Sequence, residues 1–224
     1  MKKTVNIAID GPAGAGKSTV ARRVAAALGY LYVDTGALYR TVGLNALRLG
    51  LAPGNPDEVV PTLKDLQVSL RFIDGEQRVF LDEEDVSEAI RQNEVSMAAS
   101  AVSAIPEVRA FLFDLQRNIA ANNDCLMDGR DIGTVVLPDA QIKIFLTASA
   151  EARADRRFKE LTEKGQVVEY EALLREIRER DYNDSHRAIA PLKQADDAVL
   201  VDTTELGLEE VVATILAIVK ERLA

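Results

Sequence analysis

The sequence has a single cysteine, Cys125, among its 224 residues. One cysteine excludes an intramolecular disulfide framework and suits a reducing compartment, so we expect a cytoplasmic protein. Long apolar runs are missing as well. The opening MKKTVNIAID carries charges and leads into a glycine-rich stretch, and no segment approaches the ~20 apolar residues that a membrane helix needs. The sequence therefore predicts neither a secretory signal nor a membrane span.

Positive charge is also in short supply. The sequence has 27 Lys and Arg against 36 Asp and Glu, which gives a net charge of -9. A negative protein is a poor general binder of polyanions, because nucleic acids and anionic membranes attract positive surfaces. We therefore predict no nucleic-acid partner. The chain is long enough to bury a full core, and it shows no internal repeat and no low-complexity tract.

The sequence does contain a glycine-rich motif near its start, GPAGAGKS, which matches G-x-x-x-x-G-K-S. The apolar run TVNIAID before it predicts a buried strand, and KSTVARRVAAALG after it predicts an amphipathic helix. Glycines let the backbone aim N–H groups at a phosphate, and the helix presents the positive end of its dipole. The motif predicts an ATP phosphate site made of Gly11, Pro12, Ala13, Gly14, Ala15, Gly16, Lys17, Ser18 and Thr19.

Three polar residues around this motif are expected to carry chemistry. Lys17 is predicted to reach the β- and γ-phosphates, and the Ser18 hydroxyl to bind the Mg²⁺ that arrives with ATP. Asp128 follows the apolar run CLM, and it resembles the carboxylate that contacts magnesium through water in P-loop kinases. A structural cap is the alternative role for Asp128.

Strand-like runs alternate with helical patterns along most of the chain. After residues 4–10, such runs occupy residues 31–34, 125–128, 142–146 and 198–202. This alternation predicts an α/β fold of the P-loop NTPase type, a doubly wound sheet of five parallel strands. Active residues are expected at the carboxyl ends of these strands.

One segment departs from that alternation. LQVSLRFIDGEQRVFLDEEDVS alternates apolar and polar residues around Asp74-Gly75, which predicts an antiparallel hairpin, and helices are predicted at about 92–104 and 107–121. We interpret the segment as an insertion on the parallel core. The predicted division is a core of residues 1–59, 106–148 and 190–224, an insertion of about 60–105, and a helical lid of about 149–189.

Arginines cluster in the predicted lid. One group is Arg153, Arg156 and Arg157, and a second, Arg175, Arg178 and Arg180, precedes Arg187. A solvated helix face explains many such clusters. Beside a P-loop, however, lid arginines can offset the negative charge of phosphoryl transfer and exclude water, with Gly165 as a pivot. We expect Arg157 to contribute more than Arg156, which lies on another part of the helix surface and is predicted to stay in water.

The phosphoryl acceptor is either a hydroxyl or another phosphate. A hydroxyl needs a base, for which Asp34 and Asp128 are candidates, whereas a monophosphate needs only cations around it. Arginines outnumber the candidate bases, with Arg40 and Arg130 beside the lid set, and this favours a phosphate acceptor. A nucleotide-switch GTPase is disfavoured, because no N-K-x-D motif occurs in the sequence.

The motifs GPAGAGKST, DTGALYR, DGRDIGTVVLPDA, RERDYNDSHRAIAPL and ADDAVLVDTT occur in this order along nearly the whole chain. Together they resemble the bacterial cytidylate kinase family, in its form with a large insertion in the monophosphate-binding region. The resemblance implies a monomer that transfers a phosphoryl group from ATP, with Mg²⁺, to CMP and dCMP.

The resemblance also implies roles for individual residues. The acceptor phosphate is assigned to Thr35, Arg40, Arg130 and Arg187. The cytosine is assigned to Ser100, Arg109 and Asp131, and the sugar hydroxyls to Arg180 and Asp184. The donor phosphates are assigned to Arg153 and Arg157. Catalysis is assigned to Lys17, Arg130, Arg157 and Arg187.

Two further residues keep alternative roles at the level of sequence. Ser100 lies in the apolar helix SMAASAVSA, where a small residue often serves packing alone. Asp34 comes directly before a predicted helix and could simply cap it.

Overall fold

The computed structural model describes residues 4–73 and 76–223. The strands within these ranges are, in chain order, β1 (Asn6–Asp10), β2 (Leu31–Asp34), β3 (Val68–Ile73), β4 (Glu76–Leu81), β5 (Glu84–Asp85), β6 (Cys125–Gly129), β7 (Ile142–Thr147) and β8 (Val199–Asp202). Five of them form one sheet in the order β2-β6-β1-β7-β8. The predicted α/β fold with five parallel strands is confirmed, and the strand bounds agree within one or two residues.

Strand β1 lies at the centre of this sheet. It pairs in parallel with β6, where Asp10 faces Gly129, and with β7, where Asp10 faces Phe145. Apolar side chains bury both faces of β1 and β6, as parallel strands covered by helices require. The carboxyl ends of β1 and β6 therefore lie side by side, which places the residues that follow them at one edge of the sheet.

The helices of the described residues are α1 (Lys17–Leu28), α2 (Thr35–Arg48), α3 (Pro56–Val59), α4 (Asn93–Val102), α5 (Pro106–Asn122), α6 (Ala150–Glu163), α7 (Tyr170–His186) and α8 (Leu208–Leu223). Residues Ile132–Val136 form a single π-helical turn. Within the described ranges no single helix has the length and apolarity to cross a membrane. Helices α4 and α5 have the required length and apolarity only when they are counted as one segment, and a bend of 100° separates them.

Helix ends follow from local sequence. Gly29 ends α1 in a left-handed conformation, and its N–H donates to the carbonyl oxygens of Ala25 and Ala26. Asp34 caps α2 by accepting the N–H of Ala37. These two residues fix where α1 ends and where α2 begins.

The second sheet contains β3, β4 and β5 in antiparallel order. Its two longer strands pair from Val68 opposite Leu81 to Ile73 opposite Glu76, which confirms both arms of the predicted hairpin. The turn predicted at Asp74-Gly75 lies outside the described residues. The short strand β5 was not predicted, because two residues are too few to show an alternating pattern.

The chain divides into two compact units. The first unit contains the described residues up to 31 together with those from 124 onward, and the second unit contains residues 32–123. In the second unit α2 and α4 pack closely at Gly43. A Cβ at this position would lie 2.9 Å from the backbone N of Ala99, so glycine allows the close approach. The predicted functional division into core, insertion and lid stays a prediction.

Candidate active site

The glycine-rich loop between β1 and α1 has the conformation that a phosphate cradle needs. Gly14 and Gly16 have φ of 76° and 85°, in the left-handed region that side chains disfavour. A Cβ on Gly11 would lie 1.9 Å from the carbonyl oxygen of Leu146 in β7, so only glycine fits there. The loop leads directly into the N-terminus of α1, where free N–H groups and the helix dipole favour an anion.

Lys17 is buried at the start of α1. Its Nζ donates to the carbonyl oxygen of Pro12 at 2.7 Å, so the side chain folds back over the loop. Burial lowers the pKa of Lys17 well below its usual value, and the positive charge of Arg130 adds to this, while the carboxylates of Asp128 and Asp10 oppose it. A phosphate beside the amine would raise this pKa, because a negative charge favours the protonated lysine.

Ser18 and Asp128 lie next to each other at the carboxyl ends of the strands. The Ser18 hydroxyl donates to Oδ2 of Asp128 at 2.8 Å, and Asp128 is 3% exposed. A hydroxyl and a carboxylate at this distance are the oxygen ligands that Mg²⁺ prefers, directly or through water.

Asp10 is a buried carboxylate that sequence reasoning missed. It ends β1 directly before the loop, and it accepts the backbone N–H groups of Ile132 and Gly133 at 2.8 and 2.7 Å. A signal was present, because Asp34 and Asp128 also end strands and were singled out for that reason. From the sequence, Asp10 was interpreted only as the last residue of the apolar run TVNIAID.

Residues that directly follow β6 meet residues from the end of α7 and the loop after it, all within the first unit. Arg130 Nε donates to Oδ2 of Asp184 at 2.8 Å, and an Arg187 nitrogen lies 3.7 Å from Oδ1 of Asp131. Arg187 Nε also donates to the carbonyl oxygen of Ala190 at 2.6 Å. Ala190 has a φ of 46°, which is strained for alanine and holds that carbonyl toward the arginine.

The charges of this group depend on one another. Burial raises the pKa of the Asp184 carboxyl, but the positive charges of Arg130, Arg180 and Arg187 outweigh burial and hold that pKa below its usual value. Arg130, Arg180, Asp184 and Arg187, which are all predicted to bind CMP, therefore form one electrostatic group. Asp131 lies close to it.

The predicted lid consists of α6, α7 and the turn at Gly165, whose φ is 74°. Phe158 and Tyr170 pack edge to face across the two helices, with ring centroids 5.8 Å apart. Ser149 caps α6 by accepting the N–H of Ala152. The two helices thus pack on each other through an aromatic pair rather than through charge alone.

The lid arginines have different surroundings. Arg153 is 4% exposed, and it donates to the carbonyl oxygen of Ala13 in the glycine-rich loop and to both carboxylate oxygens of Asp181. The exposed Arg157 donates to Glu160. Arg156 is exposed, as expected, although its guanidinium also donates to the backbone carbonyl of Thr203, a contact that was not predicted. The helix periodicity could not show this contact, since Thr203 lies far along the chain.

In the second unit, Thr35 and Arg40 lie on α2 after the capping residue Asp34. Thr35 is 3% exposed, and Arg40 lies 3.8 Å from the Asp34 carboxylate. Gln77 on β4 accepts the Asp34 backbone N–H through Oε1 at 2.9 Å, and its Nε2 lies 3.4 Å from the Asp34 carbonyl oxygen. The cap that was the alternative role for Asp34 is present, whereas the contact with Gln77 was not predicted.

Ser100 and Arg109 lie on either side of the turn between α4 and α5. Ser100 is half-buried near the end of α4, and its carbonyl accepts the Ser103 hydroxyl at 2.8 Å. Arg109 is 8% exposed, donates to the Ser103 carbonyl, and lies 5.7 Å from the centre of the Tyr39 ring. Ring and backbone together hold a buried guanidinium in place.

The strand order, the glycine-rich loop after β1 and the pair of Ser18 and Asp128 define a nucleotide-dependent phosphotransferase of the P-loop class. The sequence model of the cytidylate kinase family matches residues 7–221. The chain belongs to this family.

Named relatives agree over nearly the full length. The chain is 53% identical to the cytidylate kinase of Caldicellulosiruptor bescii, with 96% of this chain and 95% of that protein covered. It is 54% identical to the cytidylate kinase of Streptococcus sanguinis, with 95% of each covered. A crystal structure of an uncharacterized protein from Eubacterium ventriosum has a TM-score of 0.55 at 13% identity, covers 97% of this chain and 99% of its own, and shows the fold alone.

Proposed function

We propose that this member of the cytidylate kinase family transfers the γ-phosphoryl group of ATP to CMP and dCMP, giving ADP and CDP or dCDP. The observation that carries the proposal is a group of alternating charges in the first unit, in which two buried carboxylates meet two half-buried arginines. Arg130 is paired with Asp184, and Arg187 lies beside Asp131. The arginines of this group can bind a phosphate, and its carboxylates can accept hydrogen bonds from a nucleobase.

The glycine-rich loop would hold the donor. The β- and γ-phosphates would lie on the N–H groups at the start of α1, and Lys17 would turn from the Pro12 carbonyl to donate to them. The Ser18 hydroxyl and the Asp128 carboxylate fit a magnesium ion carried by ATP. When bound, Mg²⁺ neutralises charge on the phosphates.

The acceptor would be a phosphate and need no base. Both candidate bases have another role in the structure, since Asp34 caps α2 through the N–H of Ala37 and Asp128 accepts the Ser18 hydroxyl. The family resemblance assigns the phosphate of CMP to Thr35, Arg40, Arg130 and Arg187. Guanidinium groups suit this task, because they bind two phosphate oxygens at once.

Cytosine would be recognised by its hydrogen-bonding edge. Cytosine has an amino donor at N4 and acceptors at N3 and O2, so the Asp131 carboxylate and the Ser100 hydroxyl would accept from N4 while Arg109 donates to N3 or O2. Uracil reverses the donor and acceptor at the first two positions. Each buried mismatch costs about 1 to 3 kcal/mol, which gives a strong preference for C over U.

The sugar and the closing step would use the lid. Arg180 and Asp184 would bind the sugar hydroxyls, and Arg153 and Arg157 would bind the donor phosphates when α6 and α7 close. Arg153 already contacts the loop through the Ala13 carbonyl. We also propose that the protein acts as a cytoplasmic monomer in pyrimidine metabolism, with no nucleic-acid or membrane partner.

The test is a coupled assay of ADP release with ATP and magnesium. CMP and dCMP should be the best acceptors, UMP should be much poorer, and AMP and GMP nearly inert. A reaction without acceptor measures background hydrolysis, and a reaction with a chelator measures the need for magnesium. Equal rates with CMP and AMP would contradict the proposal, and so would full activity in the chelator.

A further inference from the structure

The carboxylate of Asp10 has an arrangement that the proposed function leaves unused. Asp10 is 4% exposed, Oδ1 accepts the N–H of Ile132 at 2.8 Å, and Oδ2 accepts the N–H of Gly133 at 2.7 Å. Both bonds are short and charge-assisted, and each uses a different oxygen. The side chain therefore fixes two successive peptide groups of another loop.

Those two amides begin the π-helical turn Ile132–Val136, directly after Asp131. The Asp131 carbonyl accepts the N–H groups of Val135 and Val136 at 2.9 and 3.2 Å. The first N–H groups of a helical turn have no acceptor within the turn, and a negative charge there is favourable. Asp10 thus caps the turn from a neighbouring strand and fixes the backbone on the C-terminal side of Asp131.

The glycine of the D-I-G sequence fits the same contact. A Cβ on Gly133 would lie 3.3 Å from Oδ2 of Asp10 and 3.1 Å from Cδ of Lys143. Both distances are tighter than ordinary contacts, so a side chain at position 133 would displace the carboxylate or the lysine stem. Glycine at this position allows the close approach of the turn to Asp10.

Burying this carboxylate carries a free-energy cost. Burial raises the pKa of Asp10 to about 6, although the two amide hydrogen bonds and the charge of Lys17 lower it, and the charge of Asp131 raises it further. At neutral pH the group is ionised and holds both amides. An apolar side chain could fill the position without that cost. The buried carboxylate therefore serves to fix the position of the turn rather than to maximise the stability of the fold.

We propose that Asp10 is a positioning residue for the acceptor, which orients Asp131 and the adjacent Arg130 by fixing the turn that follows them. The residue touches neither substrate. It acts through the backbone, and it sets the preference for cytosine because Asp131 would read the base. This inference rests on the proposed function.

The test compares Asp10→Asn with a matched control. Asparagine keeps the size and one acceptor, but its NH₂ group faces an amide donor, so the turn must shift. We expect the KM for CMP to rise about tenfold and the ratio of kcat/KM for CMP over UMP to fall by a similar factor, as the loss of one buried hydrogen bond predicts. The KM for ATP should stay within about twofold.

Asp124→Asn is the control. Asp124 also accepts a backbone N–H, that of Val5 at 2.7 Å, but it lies at the opposite end of the same sheet, before β6 begins. The control makes the same chemical change and can lower the Tm, yet it should leave the CMP to UMP ratio unchanged. A purely structural role for Asp10 would give the two variants the same kinetic result.

A second variant, Gly133→Ala, and a double-mutant cycle between Asp10 and Asp131 complete the test. Gly133→Ala keeps the Asp10 charge and pushes on the same contact, so it should also narrow the base preference. In an Asp131→Ala background, Asp10→Asn should no longer change that preference. An unchanged CMP to UMP ratio in folded Asp10→Asn or Gly133→Ala overturns the inference. Wild-type protein that fails to phosphorylate CMP overturns the proposed function instead, which is a different outcome.

Discussion

The two units bury different kinds of polar side chain. In the first unit the buried polar side chains are Asp10, Lys17, Asp128, Asp131, Lys143, Arg153, Asp184 and Thr203. In the second unit they are Thr35, Thr41, Ser87, Ser103, Arg109 and Gln116. Among the described residues, ionisable groups therefore make up nearly all of the first set, and the second set has a single one, Arg109.

This difference separates two physical tasks. Burying charge is expensive unless opposite charges and hydrogen bonds surround it, so a unit that buries many ions has a use for a preorganised electric field. Phosphoryl transfer is such a use. Hydroxyl and amide groups are cheaper to bury and fix shape through hydrogen bonds. We expect substitutions in the first unit to have the larger effects, on turnover, pH dependence and base preference, and those in the second to have smaller effects on acceptor affinity.

The largest effect is expected for Lys17→Ala. Lys17 would neutralise charge that grows between the β- and γ-phosphates in the transition state, and removing one preorganised donor of this kind lowers kcat by roughly a hundredfold or more. The free energy of unfolding should change little, because the buried ammonium has a depressed pKa and contributes little stability. Steady-state kinetics and chemical denaturation measure the two quantities.

Lys143→Met is the matched control for Lys17. Lys143 is the other buried lysine among the described residues, and its Nζ pairs with Asp197 at 2.9 Å. Methionine keeps the stem beside Gly133 and removes the charge. We expect kcat within a few-fold of wild type. A control as slow as Lys17→Ala would show that any buried charge of the first unit matters equally.

The next effect tests the exposed charge of the first unit. Arg157→Ala should lower kcat by at least roughly a hundredfold if the lid closes over the phosphates, since closing arginines contribute about a thousandfold in P-loop enzymes. ATP with CMP should also slow amide exchange across residues 155–190. Lys159→Ala, an exposed change on the same helix, is the control. Unchanged kcat with unchanged exchange would make α6 and α7 a solvated pair, with Arg157 bound only to Glu160.

A third prediction concerns pH and Asp10. The folded pKa of about 6 lies above the ordinary aspartate value of 3.8, so the folded state binds more protons between these values, and stability falls as pH rises. The contribution is full below about 4 and is lost as pH passes about 6. The free energy of unfolding of wild type relative to Asp10→Asn should therefore fall by up to about 3 kcal/mol from pH 4 to pH 7. A difference independent of pH would contradict the raised pKa.

Asp10 also shows where sequence reasoning ended. The five strands and the glycine loop were predictable, because strands and loops leave patterns over neighbouring residues. The contacts of Asp10 with Gly133, and of Arg153 with Asp181, join residues far apart in the chain and leave no local pattern. The turn Ile132–Val136 was missed for a related reason, since five residues are too few to show a helical period.

The predicted site residues divide in the same way, into those that a local motif identifies and those that it does not. Lys17 and Ser18 were assigned from their motif, and in the structure they are the first two residues of α1, directly after the glycine-rich loop. Ser100 and Arg109 were assigned from the family resemblance alone, because a serine on an apolar helix predicts packing. Their roles in base recognition stay predictions.

A smaller effect should separate a charged from a neutral base contact. Asp131→Ala should raise the KM for CMP and narrow the preference for C over U more than Ser100→Ala does. An ionised acceptor contributes about 1.5 to 3 kcal/mol, whereas a neutral hydroxyl contributes about 1 kcal/mol. Acceptor kinetics with CMP and UMP measure both. Equal losses in the two variants would remove the energetic distinction between the units, and no change in either would refute the assigned base contacts.

The smallest effect is expected in the second unit, at the contact of Gln77 with Asp34. The Gln77 amide holds the backbone N–H and carbonyl of Asp34, the residue directly before Thr35, and so fixes the start of α2. Gln77→Ala removes these bonds, which together contribute about 1 kcal/mol. The KM for CMP should therefore rise a few-fold while kcat and the KM for ATP stay unchanged. Gln67→Ala, at an exposed glutamine just before β3, should change none of the three. If Gln77→Ala instead lowered kcat with KM unchanged, neutral hydrogen bonds of the second unit would serve turnover as well, and the contrast with the buried ions of the first unit would fail.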